Sequence, residues 1–182
     1  MVKKIKRTKG LVIVYTGGGK GKTTAALGLA LRAAGYKKKA LIVQFMKGSW
    51  ETGEMNSLRR LSPEIELVRM GKGFVGIVDD KESFSDHVNA AQEALRVAEK
   101  AVISKKYSVV ILDEINYAAK GKLITVQDIL NLIKNKNPEL HLVLTGNFAS
   151  PKVIGKADLV TEMKEIKHPL RKGIKAQRGI DY

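Results

Sequence analysis

The chain has 182 residues with 33 Lys and Arg against 18 Asp and Glu, a formal charge of +15, and no cysteine. This excludes disulfides, thiolate chemistry and cysteine-ligated zinc, and three scattered histidines (His87, His141, His168) argue against a histidine-built metal site. Apolar runs fall far short of the roughly 18 residues of a membrane span, the run behind the basic start is too short for a signal peptide, and the length suits one domain, so a soluble cytoplasmic protein is expected.

Leu11 to Tyr15 reads as the first buried strand. It stops in Thr16-Gly-Gly-Gly-Lys-Gly-Lys-Thr-Thr24, from which an alanine- and leucine-rich helix, Lys22 to Ala34, runs up to Gly35. Strand, glycine-rich turn and helix start make a phosphate loop. Gly17, Gly18, Gly19 and Gly21, with Lys20 among them, let successive N–H groups converge on a polyphosphate at the positive helix end. Lys22 then reaches phosphate oxygens, and the hydroxyl of Thr23 or Thr24 holds Mg²⁺. The loop is one residue shorter than the usual pattern, with Thr16 where that pattern has its first glycine. A dinucleotide-binding turn fits less well, because no Gly-x-Gly-x-x-Gly can be read here.

Ala40 to Phe45 is the second strand, and Gln44 to Glu54 follows at its carboxyl end. Such loops line the crevice of an open α/β sheet, which places Lys47 near triphosphate and lets Trp50 stack on a planar ring. A short helix is expected near Asn56 to Leu61, a strand over Ile65 to Met70, and a loop with Gly71, Gly73 and Gly76. A long helix follows from about Ser85 to Ser104, with Val88, Ala91, Leu95, Ala98 and Val102 on one face. Val109 to Leu112 is a buried strand that ends in Asp113-Glu114; Asp113 is suited to anchor Mg²⁺ through water, and Glu114 to activate a water or bind metal. Thr125 with Asp128 forms a capping box before a helix over Val126 to Lys134. His141 to Leu144 is a strand with Thr145-Gly146-Asn147 at the same sheet edge, followed by a helix over Pro151 to Lys156 and a strand over Leu159 to Met163.

The alternation predicts an α/β fold with a mostly parallel central sheet and helices on both faces. One unit spans 1–182, with a basic extension at 1–9, an irregular arm at 164–182, and no repeat or linker. The lysines are scattered in short runs without a recognised nucleic-acid motif, which favours a solvated surface plus an anionic substrate over nucleic acid. A RecA-like ATPase acting on nucleic acid is the alternative; a nucleoside kinase is disfavoured by the missing cysteines.

The phosphate loop, the block Gln44-Phe-Met-Lys-Gly-Ser-Trp-Glu-Thr-Gly-Glu54 and Leu112-Asp-Glu-Ile-Asn-Tyr117 resemble the ATP:corrinoid adenosyltransferases of the phosphate-loop type. The endings Ala157 to Pro169 and Gly173 to Tyr182 are similar to the same family, in the same order. The resemblance implies a RecA-like phosphate-loop NTPase fold, usually a homodimer. It implies that the Co(I) of a reduced corrinoid attacks the ribose 5′ carbon of ATP, which sits reversed in the loop, and releases inorganic triphosphate. Carried onto this chain, Gly17 to Thr24 bind the triphosphate with Lys22 as main cation. Thr23, Asp113 and Glu114 hold Mg²⁺ (or Mn²⁺) or substrate, and Phe74 in the 71–85 loop meets the corrinoid. A reduced flavin or flavoprotein supplies the electrons. Three positions depart from the family: Gly76 replaces a tryptophan in Gly73-Phe-Val-Gly76, Asn147 replaces an arginine, and Gly18 replaces an asparagine. The first of these points toward precursors such as cobyrinic acid diamide or cobinamide rather than complete cobalamin.

Overall fold

Strands of alternating Val, Ile and Leu bury both faces here, and that pattern builds a six-stranded sheet in which every pairing is parallel. The computed structural model describes residues 9–48, 51–75 and 82–182. In chain order the elements are β1 (Val12–Thr16), α1 (Lys22–Ala34), β2 (Ala40–Gln44), α2 (Gly53–Arg59), β3 (Ile65–Arg69), α3 (Phe84–Ile103), β4 (Val109–Asp113), α4 (Ile115–Lys120), α5 (Val126–Asn135), β5 (His141–Thr145), α6 (Pro151–Ile154) and β6 (Leu159–Glu162). The strands lie in the order β3-β2-β4-β5-β1-β6.

The period of two sorts the core into two layers. Val12, Val14, Leu41, Val43, Val110, Leu112, Leu142 and Leu144 face α3, α5 and α6. Ile13, Ala40, Ile42, Val109, Ile111 and Val143 face α1 and α2. The inner face of α1 is Ala26, Ala30 and Ala33, and α3 contributes Ala91, Ala94, Ala98 and Ala101, so both helices approach the sheet closely. Of the predicted α3 stripe, Ala91, Leu95, Ala98 and Val102 are buried and Val88 partly so. The capping box of Thr125 and Asp128 forms in both directions, Asp serving where Glu is usual.

Several boundaries differ from the sequence reading. β2 stops at Gln44, and Phe45 leaves the strand to be buried while its N–H bonds to the Asp113 carbonyl. α2 begins three residues earlier than expected, at Gly53, and α6 ends at Ile154 rather than Lys156. The pattern gave no sign of α4, because the acidic pair turns directly into a helix through a left-handed Glu114. Beyond β6 the chain carries a 3-10 turn, Pro169–Lys172, and its last residues return toward the sheet.

Candidate active site

All strands end at one edge of the sheet, and there the loops after β1, β2, β4 and β5 meet. The turn after β1 is held by close packing. Gly17 adopts φ 98°, and a Cβ there would stand 2.4 Å from the Met163 carbonyl oxygen. Gly19 donates its N–H to that same oxygen at 2.7 Å. Glycine is therefore required at Gly17 for both conformation and space. Thr16, in place of the usual first glycine, uses its hydroxyl to accept the N–H of Ala149 at 3.2 Å, tying the β5 loop to the phosphate loop.

α1 opens at Gly21 without a side-chain cap and without an acid in its first turn. Its first N–H groups and its dipole thus remain available to an anion. Lys22 bends back so that Nζ donates to the carbonyls of Gly17 at 2.8 Å and Gly19 at 2.7 Å. A cation resting on weak neutral acceptors is ready to exchange them for phosphate oxygens.

Behind the loop lies a polar network centred on Asp113, which is only 1% exposed. Its Oδ1 accepts from the hydroxyls of Thr23 at 2.8 Å and Thr145 at 2.7 Å, and its Oδ2 from Gln44 Nε2 at 3.3 Å. The Thr145 hydroxyl also accepts the N–H of Glu114 at 2.9 Å. β5 lies between β1 and β4, and Thr145 bridges the gap. Glu114 sits at φ 63° on the cleft wall. Burial, and then the neighbouring Asp113 charge, push its carboxyl up to about 7, against the pull of Lys22 and Lys47.

These groups enclose a cleft of about 860 Å³. Of the residues singled out from the sequence, Gly18, Gly19, Lys20, Gly21, Lys22, Thr23, Thr24, Lys47 and Glu114 line it. Gly17 supports it from behind, and Asp113 stands one layer deeper, in contact with Thr23. Phe74 is set apart, its ring edge-on to Tyr117 at 5.2 Å. Trp50 and Gly76 lie outside the described residues. Glu54 and Ser57 of α2, with Gly179, Ile180, Asp181 and Tyr182, also line the cleft and were not singled out. Asp181 pairs with Lys20, a contact across most of the chain length that no local pattern signals.

Among the described residues no group of three or more His, Cys, Asp or Glu is gathered to hold a metal. The Thr23 hydroxyl and the Glu114 carboxyl are hard oxygen donors, and with phosphate oxygens they fit Mg²⁺. No helix of the described residues is long and apolar enough to cross a membrane.

Comparison with known proteins places the chain in a family and a fold. The fold is similar to that of a KaiC-like protein from Pyrococcus horikoshii OT3, with a TM-score of 0.56 and 18% identity over 87% of this chain and 75% of that one. That is the RecA-like phosphate-loop fold expected from the sequence. A corrinoid adenosyltransferase of a Sinorhizobium species is 39% identical over 96% of this chain and 81% of its own length. Those of Pseudomonas aeruginosa and Escherichia coli K12 are 36% and 34% identical, again over 96% of this chain. The family model for the ATP:corrinoid adenosyltransferases BtuR/CobO/CobP matches residues 8–182, and the chain belongs to that family.

Proposed function

We propose that this chain transfers the 5′-deoxyadenosyl group of ATP to the Co(I) of a reduced corrinoid and releases inorganic triphosphate. The observation that carries this reading is the uncapped start of α1, with Lys22 and the Thr23–Asp113–Thr145 network behind it, in a chain that matches the adenosyltransferase family over residues 8–182. Cobalt supplies both electrons of the new Co–C5′ bond, the C5′–O5′ bond breaks, and its electron pair leaves with triphosphate. The protein has little acid–base work to do in such a displacement. Its task is to bind and neutralise the leaving group, to align C5′ and to exclude water.

In this scheme the loop N–H groups, Lys22 and Lys47 hold the triphosphate. Thr23 and Glu114 would hold Mg²⁺ (or Mn²⁺), which supplies further charge neutralisation on the phosphate oxygens. Asp113 is a positioning residue: it accepts the Thr23 hydroxyl hydrogen and so turns the oxygen lone pairs toward the cleft. Phe74 belongs to the corrinoid side, and cobalamin, cobyrinic acid diamide and cobinamide are the candidate acceptors.

An external reduced flavin or flavoprotein would deliver Co(I) in the cytoplasm. A homodimer is supported by exposed apolar side chains on the edge strand β6, with Leu159 and Val160 each more than 40% exposed. The test is product analysis after anaerobic incubation with ATP, Mg²⁺ and chemically reduced cob(I)alamin. An adenosyl–cobalt product with one equivalent of triphosphate is expected. ADP and phosphate alone, stimulated by polynucleotide, would install a nucleic-acid ATPase instead.

A further inference from the structure

The turn after β5 carries Phe148, whose ring meets Tyr117 and, at 5.5 Å, the Lys120 ammonium, and lines no part of the phosphate cleft. Phe148 adopts φ 64°, a left-handed conformation in which a bulky side chain is strained. Its ring is 52% exposed, so core burial does not offset that strain. Glycine at this position would be cheaper on both counts.

The turn is nonetheless firmly placed. Ala149 donates to Thr16, and the Phe148 N–H bonds to Asn147 Oδ1 at 2.9 Å. Gly146 is wedged so tightly that a Cβ there would lie 3.1 Å from Glu114 Oε2 and 3.0 Å from the Tyr117 nitrogen. Phe148 is thus held in fixed relation to the cleft wall. Its ring lies 6.1 Å from that of Tyr117, which meets Phe74 at 5.2 Å. Three rings, from the exits of β3, β4 and β5, form one row. The row abuts the cleft across Gly146 and Glu114.

We propose that Phe148, with Tyr117 and Phe74, forms the surface on which the corrin ring of the acceptor rests, and that Phe148 sets how tightly it is held. The inference rests on the adenosyltransferase reading. A corrin is a broad, polarisable ring with an apolar face, and its central metal must approach C5′ of a nucleotide anchored in the neighbouring cleft. A row of aromatic rings beside that cleft, with Phe148 its exposed member, supplies apolar area and removes water from the approach path. Covering the exposed Phe148 ring then accounts for retaining it in a strained conformation.

The test compares Phe148→Gly and Phe148→Leu with the wild type. Glycine accepts φ 64° without strain, so the fold is kept, and thermal melting checks this. Binding of cob(II)inamide is followed by visible absorption without turnover, and ATP binding separately by calorimetry. Phe148→Gly should weaken corrinoid binding about tenfold to a hundredfold and raise the corrinoid KM alike. ATP affinity should stay unchanged, and Phe148→Leu should fall in between. Wild-type corrinoid affinity in Phe148→Gly, or equal losses for ATP and corrinoid, would overturn the assignment. If the wild type forms no adenosylcorrinoid, the parent reading fails, and the binding titration still decides whether this row holds the ring.

Discussion

The helices of this protein begin in two different ways. α3 and α5 start in complete capping boxes, Ser83 with Asp86 and Thr125 with Asp128, and α6 starts under Ser150. α1, α2 and α4 start with no side-chain cap, and all three open on the cleft. The same orphan N–H groups exist at every helix start. Where the helix only supports the sheet, a side chain satisfies them and stability gains; at α1 they are left to the substrate. Stability and ligand capacity are therefore drawn from the same atoms, divided by position.

The largest expected effect breaks the uncapped side. Lys22→Ala should lower adenosyl transfer by about 10²–10³-fold, with little change in the denaturant midpoint. A comparable loss of stability would mean that its bonds to Gly17 and Gly19 hold the loop in shape. Next comes Glu114, whose folded carboxyl titrates at about 7, above the ordinary 4.5. Because the fold favours its protonated form, its stabilising contribution is complete below about pH 4.5 and is lost as the pH rises through about 7. Glu114→Gln should remove this slope from the ligand-free protein and raise its stability by up to about 3 kcal/mol at alkaline pH. Parallel stability–pH curves for the two proteins would refute it.

On the capped side, Ser83→Ala and Thr125→Ala should each cost about 1 kcal/mol in chemical denaturation and leave the ATP KM unmoved. A changed KM would show that the two kinds of helix start are not separate in function. The smallest effect concerns the acid at the cleft mouth. Asp181→Asn frees Lys20 and removes a negative charge beside the phosphate loop, so triphosphate should bind about two- to fivefold tighter at low ionic strength, and the gain should fade with salt. A gain that persists in high salt would point to loss of tail packing instead.

The contrast between legible and illegible parts follows range in sequence. β1, β2, β4 and β5 were readable because runs such as Val109-Val-Ile-Leu112 are buried on both faces. The phosphate loop was readable because its glycines and Lys22 are consecutive. α4 was hidden by one left-handed residue, Glu114, which patterns of hydrophobicity do not register. The return of Gly179–Tyr182 to the cleft and the Phe74–Tyr117–Phe148 row join residues from distant elements, and no spacing rule brings them together. Asp113 and Glu114 stand side by side in the sequence, at the end of β4. Their separation into a buried network centre and a cleft-wall carboxyl came only from the fold.

The place of β1 in the sheet has a consequence for how the chain matures on the ribosome. β1 precedes the other described strands in the chain, yet its neighbours are β5 and β6, which begin at His141 and Leu159. β2, β3 and β4 pair only among themselves until β5 appears, so a three-stranded platform from the middle of the chain can assemble early. The nascent Val12–Thr16 segment, apolar and unpaired, must wait for most of the chain to be translated. The strand that carries the phosphate loop is thus translated well before it can become competent. Nascent chains stalled before His141 should fail to bind nucleotide.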